Sequence, residues 1–83
     1  MNVIKYPSST EKSIRLMEAE NKLIFLVDKK ATKKQIKEAL ENEFKVKIVD
    51  VNTTITWQGK KKAYVKLAPE TPAIDLATQL GLM

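Results

Sequence analysis

The sequence predicts an α+β fold: a four-stranded sheet with two main helices packed on it, in the order β-α-β-α-β-β, followed by a short C-terminal helix. Three observations carry this prediction. Two segments with apolar residues at helical spacing each follow a Ser/Thr-x-x-Glu/Gln signature. The uninterrupted apolar run Leu23-Ile24-Phe25-Leu26-Val27 reads as a strand buried on both faces. Val51 to Leu67 alternates between polar and apolar on both sides of a turn near Gln58 and Gly59, the pattern of a hairpin. No linker, repeat or low-complexity tract interrupts the 83 residues, so one compact domain is expected over 1–83.

Taken in order, Val3 and Ile4 start a short strand before Pro7. Ser8 stands three residues before Glu11, the spacing of a capping box, and predicts a helix to about Glu20. Ile14 and Met17 share one face of it with Leu16 beside them, and Asn21 is a plausible stop. Leu23 to Val27 is the central strand, ended by Asp28-Lys29-Lys30. Thr32 and Gln35 form a second capping box. Behind them Ile36, Ala39, Leu40 and Phe44 recur at helical spacing, with Lys33, Lys34, Lys37, Glu38 and Glu41 on the outer face. Two strands follow, about Val46 to Trp57 and Lys61 to Leu67. The alternation slips within the first, since Val46 and Ile48 are even while Val49, Val51, Ile55 and Trp57 are odd. A bulge near Ile48 or Val49 reconciles them. Thr71 as N-cap, Pro72 as first helical residue, the stripe Ile74, Leu76, Ala77 and Leu80, and Gly81 as stop define the last helix. It is short enough to need docking for stability.

Composition narrows the function. Fifteen bases against ten acids give a net charge of +5, with no cysteine and no histidine. All the bases but Arg15 are lysine. A basic balance favours nucleic acid or an anionic surface as partner, although solubility alone accounts for such a charge in many small domains. Lysine in place of arginine suits phosphate contacts over bidentate base reading. Without cysteine there are no disulfides or thiolate metal sites. Without histidine the usual general base and the commonest transition-metal ligand are gone. The acids are scattered, so neither catalysis, nor a metal, nor a cofactor is expected. The longest apolar run falls far short of a membrane span and the N-terminus has no signal-peptide core, so a cytosolic protein without membrane insertion is expected. Asn52-Thr53-Thr54 matches a glycosylation triplet and is read as a chance match inside a strand.

The hairpin carries the sharpest signal. Thr54, Thr56, Lys60, Lys62, Tyr64 and Lys66 make one polar, basic face, and Val51, Ile55, Ala63, Val65 and Leu67 an apolar one. Gln58 to Lys62 lacks the spacing of a Walker loop. Its three lysines either reach backbone phosphates or form a solvated turn. Trp57 shares the apolar parity of Ile55, which favours a core plug at the sheet end over a stacking platform. Tyr64, between Lys62 and Lys66, is read equally as contact or packing. Lys29, Lys30, Lys33, Lys34 and Lys37 gather at a strand end and the first turns of a helix, where lysine opposes the helix dipole. Phosphate binding is one reason for them, and a solvated face balanced by Glu38 and Glu41 is the other.

Five segments, in order and at matching spacing over nearly the whole chain, resemble the universal large-subunit ribosomal protein L twenty-three family. They are Thr10-Glu11-Lys12-Ser13 with Met17-Glu18; Asn21-Lys22-Leu23-x-Phe25-x-Val27; Ala31-Thr32-Lys33-x-x-Ile36-Lys37-x-Ala39; Phe44-x-Val46 with Val51-Asn52-Thr53; and Lys61-Lys62-Ala63-Tyr64-Val65-x-Leu67. The resemblance implies a largely antiparallel sheet. It also implies a structural, non-enzymatic component of the large subunit in the cytoplasm, which binds ribosomal RNA beside the polypeptide exit tunnel. There the family helps dock factors that meet nascent chains, including the signal recognition particle, among neighbouring large-subunit proteins. Many bacterial members carry a long basic loop between the last two strands. Here only Gln58, Gly59 and Lys60 separate Trp57 from Lys61, so the chain resembles the short archaeal type. On this reading Lys12, Lys33, Lys34, Lys37, Lys60, Lys61, Lys62, Tyr64 and Lys66 are the expected RNA contacts, joined by Asn52 and Trp57. Glu11 matches the glutamate that docks trigger factor in bacterial members, and is the expected factor-docking residue. The alternatives are a stand-alone single-strand RNA-binding module and a basic protein-docking domain. The first needs aromatics on the central strands, where Phe25 is the residue the sequence offers.

Overall fold

A computed structural model describes residues 3–8 and 10–81. The chain runs β1 (Ile4–Pro7), α1 (Glu11–Glu20), β2 (Lys22–Val27), α2 (Lys33–Phe44), β3 (Ile48–Ile55), β4 (Lys61–Leu67) and α3 (Ala73–Gln79). The four strands form one sheet in the order β1-β2-β4-β3, with all three pairings antiparallel. The expected α+β architecture is therefore present. One consequence of the strand order was not legible in the sequence: β4, not β3, joins β2 in the interior, and the longer strand lies at an edge.

The sheet is covered on one face. Leu23, Phe25 and Val27 of β2 and Ala63, Val65 and Leu67 of β4 share a single buried cluster with Met17 of α1, Ile36 and Leu40 of α2, and Ala73, Leu76 and Ala77 of α3. Each large side chain buried there, such as Phe25 or Leu40, contributes roughly 1.5–3 kcal/mol through removal from water. Residues one position out of phase, Ile24, Lys62, Tyr64 and Lys66, point to the other face, which no helix residue of that cluster covers. Ile24 is only 4% exposed there, so the apolar run at Leu23–Val27 is indeed buried on both sides at its centre.

Local signals set the helix ends, with two corrections. α1 is capped by Thr10 and Ser13, not by Ser8 and Glu11. The Thr10 hydroxyl accepts from the Ser13 amide at 3.2 Å, and Ser13 Oγ accepts from the Thr10 amide at 2.7 Å. Ser8 is unavailable because its amide donates to the Ile24 carbonyl at 2.8 Å, prolonging the sheet. The shift also turns Ser13 inward in place of Ile14, which is 37% exposed. α2 begins on the predicted box, with Thr32 and Gln35 exchanging bonds of 3.0 and 3.1 Å.

The second correction concerns α3. Its N-cap is Pro72, not Thr71, and it has no capping side chain of its own. The bond comes from Asn21, whose Oδ1 accepts from the Ala73 amide at 2.6 Å. Asn21 ends α1 in the left-handed conformation, φ 55°. Its Nδ2 also donates to the carbonyls of Leu67, Ala68 and Thr71 at 3.1–3.2 Å. One side chain thus ties the end of α1 to the end of β4 and the start of α3. Ile74 of the predicted α3 stripe is exposed, and Ala73 takes its place in the core. Gly81 lies just past that helix at φ 77° as expected.

The bulge in β3 falls where the slip in alternation required it, between Ile48 and Asp50, and leaves Val49 exposed on the edge.

Candidate nucleic-acid interface

The hairpin connection brings the first group of candidate residues together. β3 ends at Ile55, and the Thr56 amide donates to the Lys60 carbonyl at 2.7 Å. Between them the Gly59 amide closes a turn on the Thr56 carbonyl at 2.9 Å, with Gly59 left-handed at φ 81°. A tight turn followed by a left-handed glycine is a favoured three-residue hairpin connection. Trp57 occupies the second position of that turn, outside the pleat of either strand. It is 91% exposed, so it is not the core plug that its parity with Ile55 suggested. Ile55 itself is 63% exposed. It ends an edge strand and faces Lys61 across the ladder instead of an apolar residue.

Cross-strand register then builds the open face. Tyr64 on β4 lies between Ile24 of β2 and Asn52 of β3, Lys62 between Leu26 and Thr54, and Lys66 between Lys22 and Asp50. Lys62, Tyr64 and Lys66 therefore form a stripe about 13 Å long at the usual rise per residue. Because β4 is interior, Tyr64 is an aromatic on a central strand of the uncovered face, a position the sequence reading had assigned only to buried Phe25.

Lys61 behaves differently. It shares the covered side with Ala63, and its ammonium donates to the Ala31 carbonyl at 2.6 Å. That bond ties the base of the hairpin to the residue preceding the Thr32 cap of α2. Two lysine groups far apart in sequence thus meet at one end of the sheet: Lys60, Lys61 and Lys62 from the hairpin, and Lys29, Lys30, Lys33 and Lys34 from the end of β2 and the start of α2. Lys33, Lys34 and Lys37 also line a shallow groove of about 280 Å³ against Val49, Asp50 and Val51 of β3. Asp28 is the acid within these segments, and its carboxylate accepts from the Lys30 amide at 2.8 Å.

Lys66 lies at the opposite end of the sheet, paired with Lys22 and Asp50, and two further predicted residues stand apart on α1. Lys12 is exposed on the first turn of α1. Glu11, beside it, is held by the Arg15 guanidinium at 2.8 Å in an exposed pair. Sequence reasoning missed Lys5 and Tyr6, which join Lys29 and Lys60 around a small recess. Only the pairing of β1 with β2 brings them there, and no local pattern announces it. A larger recess of about 800 Å³ lies elsewhere, between the end of α1, the end of β4 and the start of α3. Glu18 and Glu20 outnumber the one lysine in its lining, Lys66, which disfavours a phosphate. Among the described residues no group of three or more histidine, cysteine or acidic side chains could hold a metal, and no helix is long and apolar enough to cross a membrane.

A lysine-lined end, an open face with one interior tyrosine and an exposed tryptophan at a hairpin tip together make a surface suited to a polyanion. Residues 2–75 match the family described as Ribosomal protein L23. The chain belongs to that family. It is 51% identical over 81 residues to the large ribosomal subunit protein uL23 of Methanococcus aeolicus, covering 98% of this chain and 94% of that one. It is 48% identical, with the same coverage, to uL23 of Methanococcus vannielii. The Ribosomal protein L23 match takes in every strand, α1, α2, both lysine groups and Trp57. It ends inside α3, so the last part of that helix lies beyond it.

Proposed function

We propose that this protein is a structural, non-catalytic constituent of the large ribosomal subunit, and that the whole chain acts as one domain binding large-subunit ribosomal RNA near the polypeptide exit. The observation that carries the reading is the meeting of the two lysine groups at one end of the sheet, in a chain of the Ribosomal protein L23 family. The mechanism is architectural: lysines neutralise phosphates where RNA helices pack closely, and the sheet fixes their spacing. Lys33, Lys34, Lys37, Lys60 and Lys62 touch the backbone, and Lys66 and Asn52 extend the contact along the open face. Trp57 and Tyr64 offer π-faces to unpaired bases. Lys12 and Glu11 lie on α1, where Glu11 is the docking residue for exit-site factors such as the signal recognition particle. Neighbouring ribosomal proteins share the remaining surface, and the protein resides on cytoplasmic ribosomes.

The test is binding of the purified protein to structured large-subunit RNA fragments and to short single strands across a salt series. Tight binding to one structured fragment with a steep salt slope is expected. A second reading, a free single-strand module, gains from Tyr64 on an interior strand. It requires that short single strands bind at least as tightly as the structured fragment, which would overturn the first reading.

A further inference from the structure

We propose that the recess between the start of β1, the end of β2 and the hairpin turn seats a single phosphate group, held jointly by Lys5, Lys29 and Lys60. The inference rests on the RNA-binding reading above and narrows it to one group in one place. The recess has a volume of about 150 Å³, and its lining includes Tyr6, Leu26 and Val27. That volume is about five times a water molecule's share of the liquid, enough to admit a phosphate. Its rim carries lysines from three separate elements. Among the described residues none of Lys5, Lys29 and Lys60 has an ion-pair partner. Asp28, the acid nearest in sequence, is turned to the Lys30 amide.

Two local features show that the crowding of like charge is built in. Lys29 lies over Gly59 so closely that a Cβ on that residue would sit 3.2 Å from its ammonium nitrogen. A side chain at that position would force the Lys29 tip to shift by a few tenths of an ångström. Lys61, also at the edge of the recess, turns its ammonium to the Ala31 carbonyl. It braces the hairpin against α2 and leaves the other three lysines to face the recess. Lysine ammoniums are compact point charges that suit the separate oxygens of a phosphate. Three of them around one small recess favour one shared anion over three separate ones.

The test compares Lys29→Ala, Lys60→Ala, the double variant Lys29→Ala/Lys60→Ala and the triple variant Lys5→Ala/Lys29→Ala/Lys60→Ala, each checked for folding by circular dichroism. Affinity for the best-bound RNA fragment is measured across a potassium chloride series. If the three lysines share one phosphate, the triple variant loses about one unit or slightly less of the slope of log K against log salt, about 0.7–0.9 per phosphate from single strand to duplex. The loss from the double change Lys29→Ala/Lys60→Ala is also smaller than the product of the single losses. A slope loss near three units with multiplicative effects would overturn the shared seat while leaving the RNA-binding reading intact. Should the wild-type protein bind no RNA, that reading falls, and inorganic phosphate at constant ionic strength decides the seat. Saturable amide shifts at Lys29, Gly59 and Lys60 that vanish in the triple variant support it, and absent or unsaturable shifts overturn it.

Discussion

Asn21 makes four hydrogen bonds with one side-chain amide, and none of them is written in its neighbourhood. Its tolerance of left-handed backbone made it readable as a helix stop. Its bonds to Leu67, Ala68, Thr71 and Ala73 cross 46 to 52 positions of sequence, and no local signal marks a partner that far away. Asn21→Ala strands several half-buried backbone groups and is expected to cost about 3 kcal/mol in urea unfolding, since each unsatisfied group costs about 1–3 kcal/mol. Asn21→Gly keeps the backbone conformation and isolates the hydrogen-bond part; a loss below about 1 kcal/mol from both would refute the clamp. Gly59 was legible as a turn residue, but its second role under Lys29 was not. Gly59→Ala is expected to cost about 1–2 kcal/mol from the left-handed backbone alone. The same residue-scale limit explains Trp57: its parity with Ile55 held only as long as the strand did, and the strand ends two residues earlier.

At the scale of elements, capping boxes and periodicity located both main helices, and the slip in alternation located the bulge. What they left open was competition between neighbours. Ser8 starts the recognisable signature, but the cap falls to Thr10 and Ser13, because the sheet takes the Ser8 amide. α2 bears a conflict that the sequence does show, with lysines at its first two positions. Replacing both by glutamate, Lys33→Glu/Lys34→Glu, should stabilise the free protein by about 0.3–1 kcal/mol per site at low salt through the helix dipole. The same variant should bind RNA more weakly, an opposition that paired thermal-melt and filter-binding series would reveal. Equal RNA affinity would mean that these lysines are only a solvated face. The hairpin lysines divide likewise. Lys60→Ala/Lys62→Ala is expected to leave stability within about 0.5 kcal/mol, as for surface changes generally. Lys61→Ala loses the bond to Ala31 and should lower it by about 1 kcal/mol or more.

For the molecule as a whole, the α+β class and the identity of most core residues were legible, because burial leaves a periodic trace. Strand order leaves none, and the open face took its character from that order: with β4 interior, Tyr64 moved from a margin to the centre. The junction of the two lysine groups was equally hidden, since it depends on a bond between Lys61 and the Ala31 carbonyl, 30 residues apart. The basic end and the exposed Glu11–Arg15 pair on α1 belong to separate elements, so their functions should separate. Glu11→Ala is expected to leave RNA affinity unchanged within about twofold, because the pair is exposed and contributes only about 0.3–0.5 kcal/mol to its helix. It should weaken capture of exit-site factors by assembled subunits, and a variant that loses both together would contradict the division.

The exposed turn residue has a practical corollary. Trp57 is the protein's single tryptophan, and it stands in solvent, not in the core. Its emission should already lie at the red, water-facing limit in the native state and change little on denaturation. Contact with a nucleobase, by contrast, would quench it. The intrinsic fluorescence of this protein is therefore nearly blind to its folding and well placed to report its assembly, so quenching in a mixture with RNA reads contact without interference from unfolding.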